Sequence, residues 1–281
     1  MINDEIDIKI DYENSQFLKV LEAISSSNIY KRYLPELSEQ HKISHIQKVL
    51  LFSQILAQNE NLNEEQTKIL LVAAAFHDCG RVKDRNNGKH GIPSAKIVGK
   101  YFKEHVNNDY DIKQDEIGLV QVAIEYHVIE ENIQGKIDER RLKEICHKYG
   151  INNEAYEEVK KISAILKDAD ALDRTRFVSG SNINPAFLRT KTAKKRTMIE
   201  FSRKINEEYA NQVININYHV MQNISYEKVK LLHTIRHMYK IENKGNQKEE
   251  IDIPLNVVKA IFNSTLPNEK NYSKCEEEFE R

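Results

Sequence analysis

A histidine and an aspartate stand side by side at His77 and Asp78, at the end of the apolar run Ile69-Leu70-Leu71-Val72-Ala73-Ala74-Ala75-Phe76. A run with no polar face is that of a helix buried all round. An imidazole and a carboxylate at its buried end cost free energy unless something pairs with them. A metal ion pairs with both. Further candidate ligands lie along the chain at His45, His90 and His127, and at Asp168 and Asp170 within Leu166-Lys167-Asp168-Ala169-Asp170-Ala171-Leu172-Asp173. Histidine and carboxylate donors suit Zn, Mn or Fe. Paired cysteines for a structural zinc knuckle are absent, and so is the HExxH spacing of zinc proteases. A divalent cation in such a site lowers the pKa of bound water from about 15.7 toward roughly 7, which makes hydroxide near neutral pH.

These residues need helices to position them. Apolar periodicity predicts helices over Asn14–Ile24 and Ile43–Leu56, with Tyr30–Leu37 short and broken by Pro35. Asn63-Glu64-Glu65-Gln66 has the form of a capping box and opens the central helix. Gly80 is expected to close that helix. A polar loop follows over Arg81–His90, and Pro93 suits the first turn of a helix reaching about His105. Further helices are expected over Asp115–Ile129, Ile137–Tyr149 and Asn152–Leu172, with a loop over Arg174–Thr192. Thr197–Val220 and Tyr226–Tyr239 read as two more helices, and Pro254–Phe262 as a short one. No strand series or internal repeat is visible, so the expected class is all-α.

The 281 residues allow a sizeable core, and the few glycines and prolines (9 and 5) favour helices. A net charge of −1 gives no electrostatic signature of a nucleic-acid binder. Three scattered cysteines fit a reduced compartment. No apolar run is long enough to span a bilayer. The opening Met1–Asp7 is acidic where a secretory signal would be basic, so the expected location is the cytoplasm.

With those motifs in view, the chain resembles the HD-domain metal-dependent phosphohydrolases. That family carries a His on one helix, a His-Asp pair on a second and an Asp far downstream. Ser44-His45-Ile46-Gln47-Lys48-Val49, Phe76-His77-Asp78-Cys79-Gly80-Arg81 and Lys167-Asp168-Ala169-Asp170-Ala171-Leu172 look like the three elements in order. The resemblance implies metal ligation by His45, His77, Asp78 and Asp170, with Asp168 outside the ligand set or facing substrate. Two-metal members, including the HD-GYP phosphodiesterases, place extra histidines as His90 and His127 stand here. That implies a second ion with Asp78 bridging. The chain lacks the Gly-Tyr-Pro element of that subgroup, and Arg81 and Val82 stand where guanosine-tetraphosphate hydrolases carry an acidic pair. The implied fold is an all-α HD-domain helical bundle with additional C-terminal helices.

The implied activity is hydrolysis of a phosphoester of a nucleotide or other small phosphorylated compound, with one or two divalent ions (Mn, Fe, Zn, Mg or Ni). Asp78 and Asp168 are the catalytic candidates together with Arg81. Arg81, Lys83, Arg174, Arg176 and Arg189 are the candidate substrate contacts, since a guanidinium grips two phosphate oxygens. The expected organisation is a helical lead-in over 1–40, the hydrolase domain over 41–212, a helical extension over 213–265 with scope for a homodimer, and a loose charged tail over 266–281. Two alternatives share these residues: a mixed-valence di-iron oxygenase of the same fold, and a non-catalytic scaffold or nucleic-acid-binding module. Of the remaining histidines, His41 reads as a surface residue or one supporting His45 from a turn earlier, and His105, His147, His219, His233 and His237 read as structural or solvated.

Overall fold

The computed structural model describes residues 19–20, 43–81, 89–106, 108, 110–131, 133, 135–176 and 183–216. The expected helices over Tyr30–Leu37, Tyr226–Tyr239 and Pro254–Phe262 lie outside them. So do most of Asn14–Ile24, Lys83, almost all of the 213–265 extension and the charged tail. Seven α-helices occur among the described residues: α1 (Ile43–Asn59), α2 (Glu64–Phe76), α3 (Gly91–Glu104), α4 (Ile117–Tyr126), α5 (Glu139–Lys148), α6 (Tyr156–Asp173) and α7 (Arg196–Ile216). No strand occurs among these residues. The all-α expectation holds. None of the described helices is long and apolar enough to cross a membrane.

The central helix α2 begins as its sequence dictates. The Asn63 side chain accepts from Gln66 N at 2.8 Å, and Gln66 Oε1 accepts from Asn63 N at 3.2 Å. Glu64 and Glu65 add negative charge at the positive end of the helix dipole. Every residue from Thr67 to Phe76 is buried, because α1, α4 and α6 all pack against this helix. A buried ion pair, Lys68 Nζ to Glu116 Oε1 at 2.7 Å, ties α2 to the start of α4. Phe76 packs edge-on to Phe102 and Tyr110, with centroids 6.2 and 5.0 Å away.

Gly80 does not end the helix. Helix α2 stops at Phe76, and residues 77–80 form a turn in which Cys79 N donates to Phe76 O at 3.1 Å and Arg81 N to Asp78 O at 2.9 Å. Close approach, rather than a left-handed backbone, requires the glycine. A Cβ at Gly80 would lie 2.4 Å from Ser94 N and 2.7 Å from Pro93 C. The turn is therefore pressed onto the first turn of α3, where Gly80 N also donates to Ser94 Oγ at 2.9 Å. Gly91 is in the same situation one contact further on. A Cβ there would lie 2.9 Å from Glu125 O and 3.0 Å from Ile124 O, so the start of α3 abuts the end of α4. Three helix ends meet at one pole of the bundle.

Among its described residues, the expected loop over 174–192 contains two short 3-10 turns, Arg174–Arg176 and Pro185–Phe187. Helix α7 buries Met198, Phe201 and Ile205, with the Phe201 ring 6.5 Å from that of Phe52 on α1.

Candidate metal centre

Five elements deliver six candidate ligands to that pole. His45 is in the first turn of α1, and His77 caps the C-terminus of α2 with Asp78 next to it. His90 precedes α3, His127 caps the C-terminus of α4, and Asp170 sits near the end of α6. His45, His77, Asp78, His90 and His127 are all buried, whereas the Asp170 side chain is 33% exposed.

The ligand atoms fall into two groups that share Asp78. In the first, His45 Nε2 lies 3.1 Å from His77 Nε2, 3.7 Å from Asp78 Oδ2 and 3.4 Å from Asp170 Oδ1. In the second, Asp78 Oδ1 lies 2.9 Å from His90 Nε2 and 3.8 Å from His127 Nε2, with the two imidazole nitrogens 3.1 Å apart.

The far side of each ring decides what its near side offers. His77 Nδ1 donates to Ala74 O at 2.8 Å and His127 Nδ1 to Ile124 O at 2.5 Å. A carbonyl only accepts, so both Nδ1 atoms carry hydrogen. In a neutral imidazole the other nitrogen then presents a lone pair. His45 Nδ1 is 2.7 Å from Asp173 Oδ2 and is set in the same way. Burial, reinforced by Arg176 at the first ring and by other histidines at the second, pushes His45 and His127 down to about 4. Burial alone would raise Asp78, but its interactions with His77, His127, His90 and Arg81 outweigh that and hold its carboxyl well below the usual range. Burial likewise opposes ionisation of Asp170, and His45 and His77 win there too.

Two lone pairs at 3.1 Å, as on His45 and His77, cannot hydrogen-bond to each other. A cation between them resolves the conflict. Nitrogen donors at about 2.0–2.1 Å from one ion are themselves about 3.0–3.4 Å apart. The donor set therefore fits a divalent ion in the first group, and Asp78, His90 and His127 fit a second.

The expected substrate contacts fare differently. Arg81 borders the centre: its Nε donates to Asp78 Oδ2 at 2.9 Å and its Nη2 lies 3.2 Å from His90 Nε2, with the side chain 12% exposed. Arg174 is exposed. Arg176 is not turned to a phosphate but pairs with Asp173, Nη1 to Oδ2 at 2.6 Å. Asp168, expected as a catalytic residue, and Arg189, expected as a substrate contact, pair with each other instead. Asp168 is fully buried and accepts from Arg189 N, Arg189 Nη1 and Thr190 N, while Arg189 also grips Glu131. Asp168 thus fastens the 188–190 segment to α6, and Arg189 is used on acids rather than on a ligand.

Sequence reasoning passed over Asp173 and Lys48. Asp173 stands in the run already singled out, one helical turn after Asp170, and Lys48 stands one turn after His45. That shared spacing was the available signal.

The family model described as HD domain matches residues 43–175. This segment holds all six candidate ligands, and the match supports membership of the HD-domain superfamily. Comparisons with curated proteins and with solved structures give no match.

Proposed function

We propose that the chain is a metal-dependent phosphohydrolase or phosphodiesterase acting on a nucleotide or another small phosphorylated compound. The observation that carries this reading is the pair of ligand groups sharing Asp78, with the Arg81 guanidinium at their edge. A divalent ion held there supplies hydroxide at neutral pH and positive charge for a phosphoryl oxygen. His45, His77, Asp78 and Asp170 are the residues that would hold a first ion, and Asp78, His90 and His127 a second. Arg81 is oriented by Asp78 and keeps part of its planar fork for phosphate oxygens, which it can meet in pairs. Asp170 is the one carboxylate of the cluster that solvent reaches, so an entering water would meet the first group on its side.

The test is hydrolysis by the full chain loaded in turn with Mn, Fe, Zn, Mg or Ni, on a panel of phosphomonoesters, phosphodiesters and nucleotides. Turnover with at least one ion, lost in Asp78→Ala, is the expected result. No release from any substrate would overturn the reading. An iron-loaded protein that consumes dioxygen and releases no phosphate would replace it with the di-iron oxygenase.

A further inference from the structure

The four imidazoles of the centre differ in what holds their outer nitrogen. His77 and His127 donate to neutral backbone carbonyls, and His90 Nδ1 is buried with no hydrogen-bond partner. His45 alone has a buried carboxylate there, Asp173.

We propose that Asp173 is a positioning residue for His45: it fixes the ring with Nδ1–H outward and Nε2 turned into the first ligand group, and so strengthens ion binding there. The proposal rests on the metal-centre reading.

Register explains how the arrangement arises. Helices α1 and α6 pack side by side. Residues three apart share a helix face, so α6 presents Asp170 and Asp173 together and α1 presents His45 and Lys48. The result is a ring bracketed by two carboxylates one turn apart: Asp170 Oδ1 is 3.4 Å from Nε2, and Asp173 Oδ2 is 2.7 Å from Nδ1.

Asp173 is itself fully buried and held by two cations. Lys48 Nζ lies 3.0 Å from Oδ1, and Arg176 Nη1 lies 2.6 Å from Oδ2. A carboxylate so placed stays ionised and can only accept, which fixes the direction of the His45 hydrogen bond. The network continues outward: Lys48 Nζ donates to Asn206 Oδ1 at 2.5 Å, and Asn206 Nδ2 donates to Thr175 Oγ1 at 2.7 Å. Helix α7 thereby closes over the support of His45. A carboxylate behind a ligating imidazole raises the basicity of the ligating nitrogen, and losing such a partner typically weakens metal binding about 10–100-fold.

A purely structural salt bridge would also bury Asp173, so the test needs a control that loses one without touching the centre. Asp168→Asn is that control, being a fully buried carboxylate on the same helix that holds Arg189. Titration calorimetry with Mn²⁺ alone on the full chain compares wild type, Asp173→Asn and Asp168→Asn. The expected result is about 10–100-fold weaker binding in Asp173→Asn, with Asp168→Asn within about twofold of wild type. Equal weakening in both variants, or none in Asp173→Asn, overturns the proposal. Should Asp173→Asn not fold, imidazole ¹⁵N–¹H spectra of the metal-free wild type decide. They should show a downfield, exchange-protected Nδ1–H that disappears in His45→Gln. An Nε2–H tautomer at His45 would overturn it. A wild type that takes up no ion would instead remove the metal-centre reading itself, a separate outcome.

Discussion

Asp78 Oδ1 lies 2.9 Å from His90 Nε2, so the carboxylate that follows His77 in the chain also belongs to the second ligand group. One side chain serves both. Asp78→Ala should therefore remove ions from both groups, weakening binding by more than the roughly 100-fold at the upper end for loss of an outer partner. Elemental analysis after dialysis against a limiting concentration of each ion checks this.

His90→Ala touches only the second group. The variant should keep the ion held by His45, His77, Asp78 and Asp170 and bind fewer ions per chain than wild type. His45→Ala should remove the ion of the other group. Loss of both ions in either variant, read by the same elemental analysis, would contradict the division into two groups.

Acid should destabilise the metal-free protein earlier than carboxylates alone would. Folding lowers His45 and His127 from 6.5 to about 4. Between those values the unfolded chain binds more protons, so stability rises with pH there. The contribution is full above about pH 6.5 and is lost progressively down to about pH 4, roughly 3 kcal/mol for each ring. Asp78 and Asp173, held below their ordinary values, extend the loss further into acid. Melting temperatures of chelator-treated protein from pH 7.5 to about 4 should fall through this window. A flat profile down to about pH 4.5 would contradict buried neutral rings.

Arg189→Ala should behave as a stability variant. It leaves Asp168 buried without its Arg189 cation and Glu131 with only Lys167, 3.7 Å away, and breaking a buried pair costs about 3–5 kcal/mol. Urea unfolding should show the loss, while Mn²⁺ affinity at a denaturant-free temperature stays near wild type.

Gly80→Ala forces a methyl group against backbone atoms of Pro93 and Ser94. Overpacking of this kind costs about 1–3 kcal/mol. The 77–80 turn or the start of α3 must shift, so weaker metal binding should accompany the lower melting temperature. A conservative Ser94→Ala, which removes only the hydrogen bond to Gly80 N, should disturb binding less.

The candidate ligand positions stand out because their residue types are conspicuous and sit where helices end. Phe76-His77 and Tyr126-His127 both close a helix with a buried aromatic followed by an imidazole. What lies behind the ligands was harder to read. Asp173 and Lys48 are ordinary residues for a helix, and only the register of α1 against α6 shows that they face each other. Arg176 and Arg189 looked like phosphate contacts because charge alone does not say which acid stands across from it. The spacing in Leu166–Asp173 did hold a clue: one helical turn pairs Asp170 with Asp173 and turns Asp168 elsewhere. Gly80 misled because a glycine after an apolar run fits a left-handed cap as well as a close contact.

His77 and His127 each use Nδ1 to satisfy a carbonyl three residues back, in the last turn of its own helix. Those carbonyls are among the acceptors that a helix cannot satisfy internally. The same two rings therefore finish α2 and α4 and turn their other nitrogen toward the candidate ligand groups. Loading an ion would bolt the ends of two helices to a third, so chelation should fray this pole of the bundle first, visible as faster amide exchange at the last turns of α2 and α4.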